Sequence, residues 1–163
     1  MKYYYQKIES PVGQLYLVAG DGAMYGIVFR ETWSEFKKKF EGLEKAESPV
    51  LREAKRQLAQ YFDGKRESFD LPMKLDGTVF QNRVWSSLAK IPFGKTITYK
   101  QQAVSIESPA AARAVGRTNG LNPLCIVLPC HRVIGSSGAL TGYAGGLRAK
   151  KYLLDLEGSK KNI

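Results

Sequence analysis

The chain opens in strand-length runs of aromatic, β-branched and aliphatic residues. These are Tyr3-Tyr4-Tyr5, then Gly13-Gln14-Leu15-Tyr16-Leu17-Val18-Ala19, then Met24-Tyr25-Gly26-Ile27-Val28-Phe29. Gly20-Asp21-Gly22 between the last two is a turn signal and predicts a β-hairpin. A short charged helix is expected around residues 34–40 and a longer one over residues 49–62. In the longer one Leu51, Ala54, Leu58, Tyr61 and Phe62 recur at helical spacing; Pro49 suits its start and Asp63-Gly64 its end. The run Asp70-Leu71-Pro72-Met73-Lys74-Leu75-Asp76-Gly77 breaks both periods and marks a junction, which divides the chain into lobes of residues 1–77 and 78–163.

Beyond the junction the spacing is helical again. Phe80, Val84 and Leu88 share one helix face with Trp85 beside them, and Ile91-Pro92-Phe93-Gly94-Lys95 ends that helix. A short helix near residues 99–104, a turn at Ser105-Ile106-Glu107-Ser108-Pro109 and a small-residue helix over 110–118 follow. Two short helices joined by a tight turn suggest helix-turn-helix DNA binding, although most helix pairs are merely packed. In the second helix Ala110, Ala111, Ala112, Ala114 and Gly116 carry almost no bulk, while Arg113 and Arg117 project at i,i+4 spacing. Such a surface is either a tightly packed helix with two solvated arginines or one that lets backbone approach a groove.

Charge favours the second reading. Residues 1–80 hold 13 Lys+Arg and 12 Asp+Glu, a balance of +1, whereas residues 81–163 hold 12 Lys+Arg and 3 acids, a balance of +9. So sharp an asymmetry points to a polyanionic partner, bound through phosphates without choice of sequence. A length of 163 residues allows one domain or two small lobes. Neither a bilayer-length apolar run nor the apolar core of a secretory signal is present, so a cytoplasmic, non-membrane protein is expected.

Chemistry concentrates at Leu128-Pro129-Cys130-His131-Arg132-Val133, where a thiol adjoins the single histidine of the chain. A free cysteine, with a pKa of about 8.5, attacks only as its thiolate, which a nearby imidazole and positive charge favour. The second cysteine, Cys125, lies in Leu124-Cys125-Ile126-Val127-Leu128 and reads as a small buried hydrophobe. If this segment is extended, the two cysteines stand about 16 Å apart, beyond the limit of about 7 Å for a disulfide. On a strand, adjacent side chains point to opposite sides, so contact between Cys130 and His131 would need a turn or a relay water. One histidine gives no plausible zinc site, and no metal or organic cofactor is expected.

Pro129-Cys130-His131-Arg132-Val133, with Asn122-Pro123 before it and Gly142-Tyr143-Ala144-Gly145-Gly146 after it, resembles the O6-alkylguanine-DNA alkyltransferases. The likeness runs from Phe80-Gln81 and Val84-Trp85 through Ile91-Pro92-Phe93-Gly94, Tyr99 and Ala111-Ala112-Arg113-Ala114-Val115-Gly116 to Leu153-Leu154 and Glu157-Gly158. Residues 1–77 fit the family's variable N-terminal lobe more loosely. The resemblance implies an α+β fold. Its N-terminal lobe would carry a small antiparallel, ribonuclease-H-like sheet with helices, and its C-terminal lobe would be mostly helical and of winged helix-turn-helix type. It also implies DNA repair by a monomer that flips an alkylated base out of double-stranded DNA from the minor groove. The alkyl group would pass from guanine O6 to the protein's own cysteine.

Carried over by position, Cys130 would be the acceptor and His131 the general base acting through a water. Glu157 would orient the imidazole, Asn122 would hold the active-site turn, and Tyr99 would give a proton to the departing base. Arg113 would fill the vacated stack, with Thr98, Ala112, Ala114, Gly116 and Arg117 around it on DNA. Val133, Tyr143, Ala144 and Gly145 would line the base pocket. Ala144 stands where some relatives have serine, which leaves backbone amides as the donors there and implies a roomier pocket. A thioether has no carbonyl for water to attack, so one turnover per molecule is expected. Three rivals remain. A non-enzymatic lesion-binding relative would lack the cysteine that is present here; a thiol hydrolase would turn over repeatedly, and a helix-turn-helix regulator with an incidental cysteine would bind a specific operator.

Overall fold

The computed structural model describes residues 1–158, which fall into two compact units. The first is Met1–Leu75 with Pro123–Cys125; the second is Asp76–Asn122 and the chain from Ile126 onward. The division is not contiguous in sequence, a feature that a simple split at residue 77 does not contain. No helix among the described residues is long and apolar enough to cross a membrane.

In the first unit β1 (Tyr3–Ile8), β2 (Leu15–Gly20) and β3 (Ala23–Phe29) form an antiparallel meander. The hairpin expected around Gly20-Asp21-Gly22 is present. A two-residue strand, β4 (Glu44–Lys45), lies parallel to β1 at the far edge and gives the order β3-β2-β1-β4. Strand alternation sorts the side chains onto two faces. Val18, Tyr25 and Val28 pack with Trp33 and Phe36 of α1 (Arg30–Phe36), and the Tyr16 and Trp33 rings stack at 4.4 Å. Gly26 makes this approach possible, because a Cβ there would lie 2.4 Å from the Phe36 ring.

Against the sheet packs α2 (Pro49–Phe62), which buries Leu51, Ala54, Leu58 and Tyr61. Ser48 caps it by accepting from the Leu51 amide, and Asp63 and Gly64 end it, Gly64 at φ 74°. The open edge of β3 is covered by two short segments. Ile27 exchanges backbone hydrogen bonds with Pro123 and Cys125, and Met24 does so with Pro72 and Lys74. Paired edges of this kind offer no template for association.

One expected helix is displaced. The charged helix expected at residues 34–40 begins at Arg30, directly after β3, and gives way to a 3-10 turn at Lys37–Lys39. Burial of Trp33 and Phe36 one turn apart decides its position, and the charges follow.

The second unit holds α3 (Val79–Leu88), α4 (Tyr99–Ser105), α5 (Ala112–Asn119) and α6 (Leu147–Leu156). A small parallel pair joins β5 (Ile97–Thr98) to β6 (Val133–Ile134). Reciprocal capping boxes start α3 (Thr78 with Gln81) and α4 (Thr98 with Gln101). Two buried polar links fix α3, α4 and α5 together. Trp85 Nε1 donates to the Thr118 carbonyl at 2.8 Å, and the Gln102 and Asn119 amides exchange hydrogen bonds at 3.1 and 2.7 Å. The start of α5 lies two residues beyond the expected 110, because Ser108-Pro109-Ala110-Ala111 forms a turn closed by Ala111 N–H to Ser108 at 2.9 Å. α6, for which no helical spacing was noted, buries Ala149, Lys150, Leu153 and Leu154.

Candidate active site

Cys130, His131 and Arg132 form a single 3-10 turn rather than a strand. The extended reading of the preceding segment is also corrected. A turn at residues 126–127 reverses the chain, with buried Ile126 at φ 74°, a left-handed conformation that a β-branched residue adopts only under strain. That reversal brings the Leu128 carbonyl to the Asn122 side chain, whose Nδ2 donates to it at 2.7 Å. Leu128 also accepts from the Cys130 amide at 2.8 Å. Asn122 thus braces the backbone two residues ahead of the thiol. Cys125 and Cys130 are both buried and not disulfide-bonded.

The 3-10 turn sends its side chains to different places. His131 is fully buried, and its Nε2 lies 2.7 Å from Glu157 Oε2 at the end of α6. Arg132 Nε donates to Glu157 Oε1 at 2.8 Å and Nη2 to Oε2 at 3.0 Å, while Nη1 reaches the Ile91 carbonyl at 2.6 Å. The turn at Pro92–Gly94 adds the Gly94 amide at 3.4 Å to Glu157 Oε1. Burial pushes the Glu157 carboxyl up, but the hydrogen bonds and charges of His131 and Arg132 outweigh it and hold the group at about 2. Burial also lowers the His131 imidazole from its ordinary value, against the pull of Glu157.

These directions settle the state of the ring. At neutral pH the imidazole is uncharged and the carboxylate can only accept, so Nε2 carries the proton and Nδ1 presents a lone pair. Nδ1 is buried without a hydrogen-bond partner among the described residues. The pair is thus a charge-assisted hydrogen bond, and Arg132 balances the carboxylate.

Cys130 is 5% exposed and lines a small pocket with Tyr99, Gly116, Asn119, Gly120, Gly142 and Tyr143. Tyr99 also lines an adjoining open cleft with Lys100, Ala112, Arg113, Gly116 and Ser136. Arg113 and Arg117 are exposed on α5, and Ala112, Ala114 and Gly116 are half-buried between them. The structure therefore brings Cys130, Tyr99, Tyr143 and Gly116 of the small-residue helix to one pocket, while His131, next to Cys130 in the 3-10 turn, is buried against Glu157.

Other expected residues stand differently. The Thr98 hydroxyl caps α4 by accepting from Gln101 N–H at 3.1 Å. Val133 is fully buried in β6, and Ala144 and Gly145 are half-buried in the turn before α6; none of the three lines the thiol pocket.

Two residues of this network escaped the sequence reading. Arg132 is one, although it stands beside His131. The other is Lys150, a fully buried ammonium that donates to the Val133 carbonyl at 2.7 Å and the Thr141 carbonyl at 2.8 Å. Burial lowers it to about 8, with the charge of nearby Cys130 opposing the shift. Its signal was a lysine at helical spacing from Leu153 and Leu154, on the buried stripe of α6.

Residues 3–75 match the family model for the 6-O-methylguanine DNA methyltransferase ribonuclease-like domain, and residues 79–159 match the model for that family's DNA-binding domain. The chain therefore belongs to the 6-O-methylguanine DNA methyltransferase family. A methylated-DNA–protein-cysteine methyltransferase of Methanosarcina barkeri is 48% identical, over 94% of this chain and 96% of that protein. The constitutive enzyme of that name from Bacillus subtilis is 42% identical, over 94% of each. The structure of Mycobacterium tuberculosis OGT in complex with DNA is similar at a TM-score of 0.84 and 42% identity, covering 99% of this chain and 94% of that one.

Proposed function

We propose that this chain repairs DNA by taking the alkyl group of O6-alkylguanine onto Cys130, once per molecule and irreversibly. The observation that carries the reading is Cys130 at the wall of a pocket, in the same 3-10 turn as a buried imidazole whose Nδ1 has no hydrogen-bond partner among the described residues. His131 accepts the thiol proton through a water, and the Sγ electron pair attacks the alkyl carbon in line with the breaking C–O6 bond. The bonding electrons leave with the guanine, which takes a proton from Tyr99. Glu157 keeps the imidazole in the useful tautomer, Arg132 holds Glu157, and Asn122 holds the turn.

A base stacked in duplex DNA hides its alkylated oxygen, so the nucleotide is flipped out at a cost of a few kcal/mol. Exposed Arg113, on a helix of small residues at the mouth of the Tyr99 cleft, fills the gap from the minor groove. Arg117 and the backbone around Ala112, Ala114 and Gly116 meet the phosphates, with Thr98 at the start of α4 beside them. Tyr143 walls the pocket that takes the flipped base, with Ala144 and Gly145 in the turn that follows it. Ala144 offers no hydroxyl to the substituent, which favours larger O6-alkyl groups and O4-alkylthymine as further substrates. The protein works as a monomer in the cytoplasm, on nucleoid DNA in a prokaryote, with residues 1–77 as scaffold and no cofactor.

Mass spectrometry after incubation with a duplex carrying one O6-methylguanine tests the assignment. A methyl adduct on the peptide containing Cys130 is expected, together with unmodified guanine in the DNA. An unmodified protein beside repaired DNA, or an adduct on Cys125, contradicts it.

A further inference from the structure

Tyr99 stands where the arginine-bearing cleft meets the thiol pocket, and its phenolic oxygen is already engaged. The Thr141 hydroxyl donates to it at 3.0 Å. A phenol whose oxygen accepts from one side must direct its own O–H elsewhere. Tyr99 itself lines two cavities, one of them shared with Cys130.

Thr141 is exposed, yet it is held in place. Its carbonyl accepts from the buried Lys150 ammonium at 2.8 Å, and the same ammonium stands 5.8 Å from the centre of the Tyr99 ring. The loop itself is closed by the Gly135 amide on the Ala139 carbonyl at 3.0 Å. Most of the entropic cost of fixing the hydroxyl is therefore met before substrate arrives.

We propose that Thr141 is a positioning residue for proton transfer: its hydroxyl aims the Tyr99 proton at the departing base and meets the negative charge that develops on the phenolic oxygen. The inference rests on the reading of Tyr99 as the proton donor. The O–H bond of Tyr99 breaks, its proton joins the guanine anion released from the alkyl carbon, and the Thr141 hydrogen bond remains intact while it shortens onto the phenolate. A preorganised donor aimed at developing charge acts mainly on the chemical step and little on ground-state binding.

Single-turnover transfer from a methylated duplex, measured for Thr141→Val, Thr141→Ser, Tyr99→Phe and the double variant Tyr99→Phe/Thr141→Val, tests this. Thr141→Val keeps shape and the main-chain link to Lys150, so the fold is retained. It should slow transfer about tenfold, as loss of a hydrogen bond to developing charge does, with affinity for the methylated duplex unchanged. Thr141→Ser should stay within about twofold of the wild type. In the Tyr99→Phe background, Thr141→Val should add nothing. Equal slowing by Thr141→Val in both backgrounds, or a Thr141→Ser variant as slow as Thr141→Val, overturns the positioning role and leaves Tyr99 as donor. A Tyr99→Phe variant as fast as the wild type overturns the Tyr99 reading itself, and the inference with it.

Discussion

His131 is held with Nε2 against a carboxylate at 2.7 Å, so at neutral pH its usable chemistry is the lone pair on Nδ1. Protonation would turn that acceptor into a second donor and put a positive charge in a buried site. The alkyl-transfer rate should therefore hold through the ordinary histidine value of 6.5 and fall only at more acid pH, and His131→Ala should cost about 10²–10³ in rate. Stability moves in the same direction. A histidine lowered by folding is protonated first in the unfolded chain, so stability declines as pH falls through 6.5. Glu157, held at about 2 against an ordinary 4.5, contributes stability that is complete above 4.5 and is lost as pH falls toward 2. Glu157→Gln should flatten that lower limb of a urea-denaturation pH series. At pH 7 it should also lower stability by about 3 kcal/mol, because the Arg132 guanidinium is left buried without its counter-charge. A flat acid limb in the wild type would contradict this account of the pair. At this scale the Cys-His pair and Glu157 were legible through a resemblance, whereas the grip of Arg132 on Glu157 was not. No local period marks a contact between residues so far apart in sequence.

Among the elements, α5 joins sequence and function most directly. Its exposed Arg113 and small neighbours were visible as a pattern, although its first residue was not, because Pro109 is spent in a turn closed by Ser108 and Ala111. If Arg113 fills the vacated stack, Arg113→Ala should cut repair of duplex DNA by tenfold or more, on the order of a lost stacking contact, and leave reaction with free O6-benzylguanine almost unchanged. Equal losses on the two substrates would remove that role. The loop before α6 depends on Lys150, which supplies donors to two carbonyls that otherwise have to find others. Lys150→Met should raise amide exchange across residues 139–143 well above the wild type; unchanged exchange would mean the loop is held by other contacts. The β3 hairpin and α2 were legible because turn, cap and period agree there. The turn at residues 126–127 was not, since an apolar run of five residues reads as a strand and Ile126 is an improbable residue for φ 74°.

For the molecule as a whole, the charge asymmetry and the chemistry point the same way. Nearly all the excess positive charge lies beyond residue 80, in the part that matches the DNA-binding domain and carries Cys130. The division into an antiparallel first lobe and a helical second was readable from the change of period. The insertion of Pro123–Cys125 beside β3 was not, because edge pairing depends on where the strand ends up rather than on any local pattern. The central claim is that the protein is consumed by its own reaction, since a thioether offers water no carbonyl to attack. Titration with DNA labelled on the O6-methyl group tests this most directly. Label should move to protein, stop at one per molecule however long the incubation, and fail to move at all in Cys130→Ala. Label continuing to accumulate as a small free product, or appearing on the Cys130→Ala protein, would contradict the account.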